Sequence, residues 1–456
     1  MTSAWRPRIG AAAGPLYLQI ADQIEGALAS GDLRAGDRLP PQRALAQELG
    51  VDLTTVTRAY AEARRRNLLD AVTGRGSFVA APRRPAGPAI DLTMNVPPSP
   101  RGVRMAEEIG RGLRELLARS DVDTLMSYHA GPGAPGDRAC AAAWLRRTLG
   151  PVDPERLCIS PGAQPALTAV LAMHARGQGV ALAEPLTYPG LLAAAAHLRL
   201  QIAPVEADQH GMRPDAIEAA AARTGARLIY LNPTICNPTT ETMPEARRRE
   251  IVAVASRLGL TIVEDDPYAP LADDAPPAFA ALAPSLTWHV ATVSKCLAPG
   301  FRTAFVVAPD SAGAAGLARG LRALTLMPAP LMVSLLSCWI RDGVAGEVLA
   351  GVRAEAAARQ TLAREILPAE ARAHPNGLHV WLPLPSRWNR HRLIESARAQ
   401  GLGVTPSDAF LAGGGDAPEA VRIALGGVPE RARLAGALRT LAAVVADAEA
   451  AAHEVV

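Results

Sequence analysis

The sequence predicts an α/β chain in two parts: a small helical head closed by a β-hairpin, then a large region built on a mostly parallel sheet. Three observations predict it. Residues 1–80 carry three helical patterns followed by two short apolar runs around a Gly-rich turn. From about residue 105, helical patterns rich in Ala, Leu and Arg alternate with short apolar runs, as in a parallel sheet with helical crossovers. Finally, Lys295 is the only lysine in 456 residues, and the other 46 Lys/Arg side chains are arginines. It sits in Thr292-Val293-Ser294-Lys295-Cys296-Leu297-Ala298-Pro299-Gly300-Phe301-Arg302. A primary amine can lose its proton on burial and attack a carbonyl to form a Schiff base, whereas a guanidinium stays charged.

Composition narrows the possible functions. Hydrophobic content of 49% and charged content of 20% fit a globular protein. A net charge of +3 is too small for wholesale coating of nucleic acid, so DNA binding must come from local placement. Five cysteines, without CxxC spacing, point to a reducing cytoplasm and give neither a disulfide framework nor a zinc site. No HExxH or other histidine ligand pair occurs, so no metal is expected. The stretch Met1–Gly10 lacks the apolar core of a signal peptide, and the most apolar run, 331–340, is too short to span a bilayer. The expectation is a cytoplasmic protein with no membrane partner.

In the head, Pro15 opens a helix with Leu16, Ile20, Ile24 and Leu28 on one face, ending near Gly31. Leu45 and Leu49 mark a second helix stopped by Gly50. Thr54 reads as the N-cap of a third helix through about Asn67, with Val56, Tyr60 and Ala63 at core spacing. Leu68–Val72 and Ser77–Val79 flank Thr-Gly-Arg-Gly, a β-hairpin. Three helices and a hairpin make a winged helix-turn-helix. Its third helix suits a major groove and its wing tip brings Arg75 toward the DNA backbone or minor groove. Charge alone does not separate this from a helical protein-binding domain with an Arg-rich face: ten arginines stand against eight acids over 1–80.

The run from Leu33 to Val79 resembles the DNA-binding domain of GntR-type regulators, through G-D-R-L-P, R-x-L-A, L-G-V, T-T-V-x-R-A-Y and G-x-G-x-x-V. The resemblance places Arg43, Thr54, Thr55, Arg58 and Gly76 near operator DNA. It departs at Leu53, where the family often has Arg. Residues 81–100, rich in Pro and Ala at their start, read as a linker.

In the large region, 157–160, 179–182, 227–231, 260–264 and 303–307 are the strand candidates. Chemistry-bearing residues follow several of them, where the ends of parallel strands line a crevice. Ser160-Pro161-Gly162-Ala163-Gln164 opens a helix whose free N–H groups suit a phosphate. Tyr188 could stack on a flat ring, Asn237 could donate to a phenolate oxygen, and Asp265 could hold a pyridine nitrogen protonated while Tyr268 shares the phenolate. Each of these residue types also serves in ordinary turns and loops. Together with Lys295 they form the set that pyridoxal 5′-phosphate needs.

Their order along the chain matches fold-type I aminotransferases, and S-K-x-L-A-P-G-x-R and E-D-D-P-Y resemble the aminoadipate and kynurenine aminotransferase branch over about 90–450. The resemblance implies a PLP-dependent transferase fold: a large domain over 101–335 and a smaller α+β domain over 336–456. It implies that Lys295 carries the cofactor and is the catalytic residue. Asp265 would pair with the ring nitrogen, Asn237 and Tyr268 would bond the phenolate, and Tyr188 would stack. Gly162, Ala163, Gln164, Thr292 and Arg302 would hold the phosphate. Tyr128 would reach the phosphate of a partner subunit, and Arg422 would bind an α-carboxylate, a task suited to a planar fork. The usual Asn-Pro-Thr-Gly is Asn237-Pro238-Thr239-Thr240 here, and Pro-x-Gly-Gly appears as Pro375-Asn376-Gly377.

The two halves together resemble MocR-type regulators. The resemblance implies a homodimeric, PLP-responsive transcriptional regulator that senses PLP or an amino-acid-like effector, with the head of one subunit able to lie across the other. The rival is a working aminotransferase with an accessory DNA-binding domain, and a third reading is a sensor of PLP alone. With a single side-chain amine in the chain, borohydride reduction of PLP-loaded protein should fix the cofactor to Lys295, and peptide mapping of the adduct checks it. Lys295→Ala should lose the covalent link and keep the fold.

Overall fold

The computed structural model describes residues 5, 7, 15–30, 32–33, 36–66, 68–72, 76–79, 90–129, 131–174 and 179–447. The chain divides into two units, Met1–Ala89 and Ile90–Val456.

The first unit is built on three helices, α1 (Leu16–Ser30), α2 (Gln42–Leu49) and α3 (Leu53–Arg65), followed by the antiparallel strands β1 (Leu69–Val72) and β2 (Gly76–Val79). Ile20, Ile24, Leu45, Val56, Tyr60 and Val79 share one core. Leu16, expected on the inner face of α1, is instead 41% exposed, because it occupies the first, unsupported turn. Gly50 ends α2 in the left-handed region (φ 65°). The N-cap of α3 is Asp52 rather than Thr54: the Asp52 carboxylate accepts from the Thr54 backbone N–H at 2.7 Å. Arg66 closes the bundle by pairing with Asp22 and Glu25 of α1 and Glu62 of α3. The wing tip with Arg75 lies outside the described residues.

The second unit opens with β3 (Ile90–Asp91), which pairs in parallel with a strand more than 300 residues later. The expected linker over 81–100 therefore ends by Ile90, where the backbone finds a strand to bond to. The main sheet takes β4 (Leu157–Ser160), β5 (Val180–Ala183) and β6 (Gln201–Pro204). After the small hairpin β7 (Ala207–Asp208) and β8 (Gly211–Met212) it continues with β9 (Leu228–Leu231), β10 (Thr261–Asp265), β11 (Thr287–Thr292) and β12 (Ala304–Val307). The order is β4-β12-β11-β10-β9-β5-β6, parallel except for β12, which runs antiparallel to both neighbours. β6 and β11 were not among the expected strands.

The C-terminal part adds β13 (His379–Pro383), β14 (Leu402–Gly403), β15 (Thr405–Pro406) and β16 (Ala420–Ala424). β13, β16 and β15 form an antiparallel sheet, and β14 is the partner of β3. This sheet has its own core around Trp388, Leu393, Leu434 and Leu441. The expected boundary at 335/336 falls inside the helix Pro330–Arg341. Leu335, Leu336 and Trp339 on that helix belong to the core of the main sheet. Helix Val344–Ile366 runs from one core to the other, giving Val348 and Val352 to the first and Ala363 to the second. Among the described residues, no helix is long and apolar enough to cross a membrane.

In the head, Leu45 is fully buried between helices. Leu45→Ala should cost about 2–5 kcal/mol, as core Leu truncations do. Hydrogen exchange in the full chain should show α1–α3 losing protection while the main sheet keeps its own.

Candidate functional site

The C-terminal ends of β4, β5, β9, β10 and β11 place their following residues around one cavity of about 180 Å³. Ala163, Tyr188, Asn237, Asp265, Tyr268, Thr292, Lys295 and Arg422 all line it. Met94, Asn95, Pro189, Asn232 and Pro267 complete the wall.

Asp265 ends β10 facing the cavity, 5% exposed. Its Oδ2 accepts from the Tyr230 hydroxyl at 2.8 Å, and its Oδ1 is buried without a partner. Burial pushes its carboxyl up to about 6, against the Tyr230 hydrogen bond and the positive charges of His289 and Lys295. Lys295 lies just beyond β11, and its Nζ donates to the Asn95 carbonyl at 2.5 Å. Burial lowers its ammonium to about 8, and the nearby charge of Arg422 pulls the same way while Asp265 opposes. An amine so placed has a larger neutral fraction near physiological pH than an ordinary lysine, and the neutral form is the one that attacks carbonyls.

Arg422 points in from β16, 7% exposed. One end donates to Asn237 Oδ1 at 2.7 Å and the other to the Thr93 carbonyl at 2.5 Å, while its guanidinium carbon lies 4.9 Å from the centre of the Phe410 ring. Tyr268 accepts from Asn95 Nδ2 at 2.9 Å. The same Nδ2 lies 3.0 Å from Nδ1 of the fully buried His379, whose Nε2 faces the Cys236 carbonyl at 3.3 Å. Burial pushes His379 down to about 3. It is therefore neutral, with Nε2–H donating and Nδ1 accepting.

At the opposite end, Gly162 adopts φ +107°, and a Cβ there would meet Arg302 Nη2 at 2.7 Å. Only glycine lets that arginine lie against the start of helix Ala163–His174, where free backbone N–H groups favour an anion. Gln164 does not face the cavity; its amide donates to the Gly190 carbonyl at 2.7 Å. The Tyr188 ring lies close over Gly190, where a Cβ would come within 2.2 Å of its Cε1. The Thr292 hydroxyl lies 3.0 Å from Ser294 Oγ and 3.1 Å from the Thr303 carbonyl. Tyr128 is 80% exposed and outside this cavity. Thr240, where the resemblance has glycine, sits at φ +72° and is buried. That left-handed backbone costs a β-branched residue on the order of 1–3 kcal/mol.

Several site residues were absent from the sequence reading. Tyr230 holds Asp265, and Asn232 bonds both the Asp265 carbonyl and the Asn237 N–H, at 2.6 and 2.8 Å. Asn95 and His379 join Lys295 to Tyr268, and Ser294 supports Thr292. Parallel pairing of Tyr230 with Val263 was the one available sign for Tyr230, since it puts Tyr230 beside the face that Asp265 shares.

In the head, Arg43 and Arg58 are exposed at the surface of α2 and α3, with the Arg58 guanidinium 4.3 Å from the centre of the Tyr17 ring. Thr54 is exposed and Thr55 half-buried, and the Thr54 hydroxyl is engaged with Asp52 at 2.5 Å. Gly76 (φ +112°) lies over the Arg38 guanidinium, a basic group the sequence reading passed over.

The cavity fits pyridoxal 5′-phosphate on its own chemistry. It offers a buried amine of lowered basicity, a carboxylate oxygen without a partner, two phenols, and a helix start with an arginine beside it. Fold and cavity thus define a winged helix-turn-helix joined to a PLP-dependent domain of fold type I. The model for bacterial regulatory proteins of the gntR family matches residues 16–79, and that for aminotransferase class I and II matches 88–438. The vitamin B6 salvage pathway transcriptional repressor PtsJ of Salmonella typhimurium is 30% identical, over 80% of this chain and 85% of its own. An uncharacterized HTH-type transcriptional regulator of Bacillus subtilis, YdeF, is 27% identical over 92% of both chains. Among solved structures, LysN, the α-aminoadipate aminotransferase of Thermus thermophilus, superposes with a TM-score of 0.70 at 24% identity, over 78% of this chain and 92% of that one. The chain belongs to the MocR-type regulators, GntR-headed proteins whose larger part is a domain of the aminotransferase class I and II family. It is a DNA-binding transcriptional regulator, and the cofactor of its large domain is pyridoxal 5′-phosphate.

The amine at Lys295 is testable directly. Reductive methylation with formaldehyde, followed on the Lys295 peptide across pH, should rise along a titration centred near 8 rather than at the ordinary 10.5. Arg422→Met removes a positive neighbour and should move that midpoint upward.

Proposed function

We propose that this regulator senses PLP and an amino-acid-like effector in the cavity around Lys295 and answers by changing how a homodimer holds its winged helices on the operator. The observation that carries this reading is the joining of a winged helix to one cavity that holds both the sole lysine and a buried, forked arginine. When bound, PLP supplies an aldehyde for a primary amine and an electron-withdrawing ring. Lys295 takes the aldehyde end. Asp265, with its free Oδ1, holds a proton on the ring nitrogen. Tyr268 and Asn237 flank the phenolate, and Tyr188 covers one ring face. Gly162, Ala163, Thr292 and Arg302 hold the phosphate, and Gln164 supports them by fixing the Gly190 loop. Arg422 takes a carboxylate once that group displaces Asn237 or Thr93. Tyr128 is exposed on its own subunit, and a phosphate contact from it requires a second copy.

In the head, Arg43, Thr54, Thr55, Arg58, Gly76 and Arg75 face the operator, and Arg38 joins them beside the wing. The protein works in the cytoplasm. The name of the vitamin B6 salvage repressor supports the cofactor itself as one ligand. Retention of Lys295, Asp265 and Arg422 in one cavity also supports a second reading, a working aminotransferase with an accessory DNA-binding domain.

Two measurements separate and test these readings. Arg43→Ala or Arg58→Ala should weaken operator binding by about 1–3 kcal/mol where that arginine reads a base. Unchanged affinity and salt slope in both would move the DNA surface elsewhere. Arg422→Ala should keep the covalent cofactor and lose the response of operator affinity to an amino acid, a response of roughly 5–150-fold in wild type. Turnover of amino donor and keto acceptor at about 1 s⁻¹ or faster, with no ligand effect on DNA, would establish the enzyme instead.

A further inference from the structure

The segment that carries the chain into the second unit is tied to both sides of the cavity. On one side it is bonded to β14 and to the C-terminal sheet. The Ile90 and Leu92 N–H groups donate to the carbonyls of Gly401 and Gly403, each at 2.8 Å, and the Leu92 carbonyl accepts from Ala424 N–H at 2.8 Å. Gly426 packs so tightly on the Val96 carbonyl that a Cβ there would come within 1.8 Å of it. The Thr93 carbonyl accepts from Arg422 of the same sheet. The second unit is therefore tied to this sheet from its first residues onward.

Asn95 alone in this segment reaches the other side. Its carbonyl accepts from Lys295 Nζ, and its amide nitrogen donates to the Tyr268 hydroxyl at 2.9 Å; both partners follow strands of the main sheet. His379 of β13 holds the same amide from the C-terminal side at 3.0 Å. Asn95 is 4% exposed, yet its Oδ1 has no partner. A buried acceptor left unpaired is costly, so a ligand donor reaching it would bind at an advantage.

We infer that Asn95 is a positioning residue that latches the connector-bearing segment and the C-terminal sheet to the Lys295 side of the cavity, and that a ligand taking over Lys295 loosens the latch. This rests on the sensing reading above and names the element that reports occupancy. The Lys295 amine that PLP engages is the donor that the Asn95 carbonyl uses, whereas the Tyr268 hydroxyl accepts from Asn95 and keeps its own proton to give. Loading the cavity thus withdraws Lys295 from the Asn95 carbonyl and leaves the segment held on that side by the Asn95 amide alone. A ligand shifts a two-state element only by binding its states differently, and competition for the Lys295 amine supplies that difference.

The test compares full-length wild type with Asn95→Ala, each as the ratio of its operator affinity with PLP to that without it. The ratio cancels any change in basal DNA binding, and cofactor absorbance shows that each protein is loaded. Asn95→Ala keeps the main-chain carbonyl that Lys295 bonds and loses the amide that bonds Tyr268, so wild type should change severalfold on loading and Asn95→Ala by a larger factor, the Lys295 contact being its last tie to that side. A ratio in loaded Asn95→Ala equal to that of wild type overturns the inference and leaves the sensing reading intact. Hydrogen exchange on wild type decides the matter even if the variant does not fold: amides of 90–97 should lose protection on addition of PLP, and unchanged protection overturns the inference. Exchange that responds to PLP while operator affinity responds to no ligand would keep the latch and overturn the sensing reading instead.

Discussion

The amine of Lys295 is held out of water in a small cavity that also contains the guanidinium of Arg422, with Asp265 as the nearby carboxylate. Removing two cations from solvent side by side is unfavourable, and the surroundings show how that cost is met. Arg422 is neutralised by acceptors rather than by an acid: Asn237 Oδ1, the Thr93 carbonyl and the face of Phe410. Lys295 is partly relieved of its proton, and Asp265 is left with one oxygen unused. The side chains of the cavity thus present surplus positive charge and one unpaired carboxylate oxygen.

Much of the fold was legible because it depends on local pattern. The three helices of the head follow apolar spacing and a left-handed glycine, and five of the seven main-sheet strands were read from short apolar runs bounded by turns. β11 escaped because it is buried through all six residues yet reads Thr-Trp-His-Val-Ala-Thr, neither an apolar run nor an alternation. A buried imidazole is tolerable there only because His289 Nδ1 meets the Glu264 carboxylate at 2.8 Å, a partner on a different strand. β6, at the edge of the sheet, escaped because it is short, with only Ile202 and Ala203 buried between exposed ends. The domain limits blurred wherever packing, rather than sequence composition, decides membership, as for the helix holding Trp339.

The cavity was legible to the extent that its residues sit directly after strands. Asp265, Asn237 and Tyr188 each follow an apolar run, so the crevice rule for open sheets collects them, while Lys295 follows the overlooked β11 and stood out as the sole lysine. Asn95 had no such sign. It lies in an irregular stretch, and its partners are 173, 200 and 284 residues away. Thr240 shows the converse. A departure from the resembling motif was visible in the sequence, and the structure shows that the backbone kept the glycine-like conformation all the same. The loop shape is thus held by its surroundings, including the Thr240 N–H to Cys236 carbonyl bond at 2.7 Å.

The antiparallel pairing of β11 with β12 closes the loop that carries both Lys295 and Arg302. Thr292 faces Ala304 in register, so the loop is clamped at its two feet by adjacent strands in the middle of the sheet. The backbone positions from which the amine and the guanidinium extend are therefore fixed relative to one another, like two posts set in one footing.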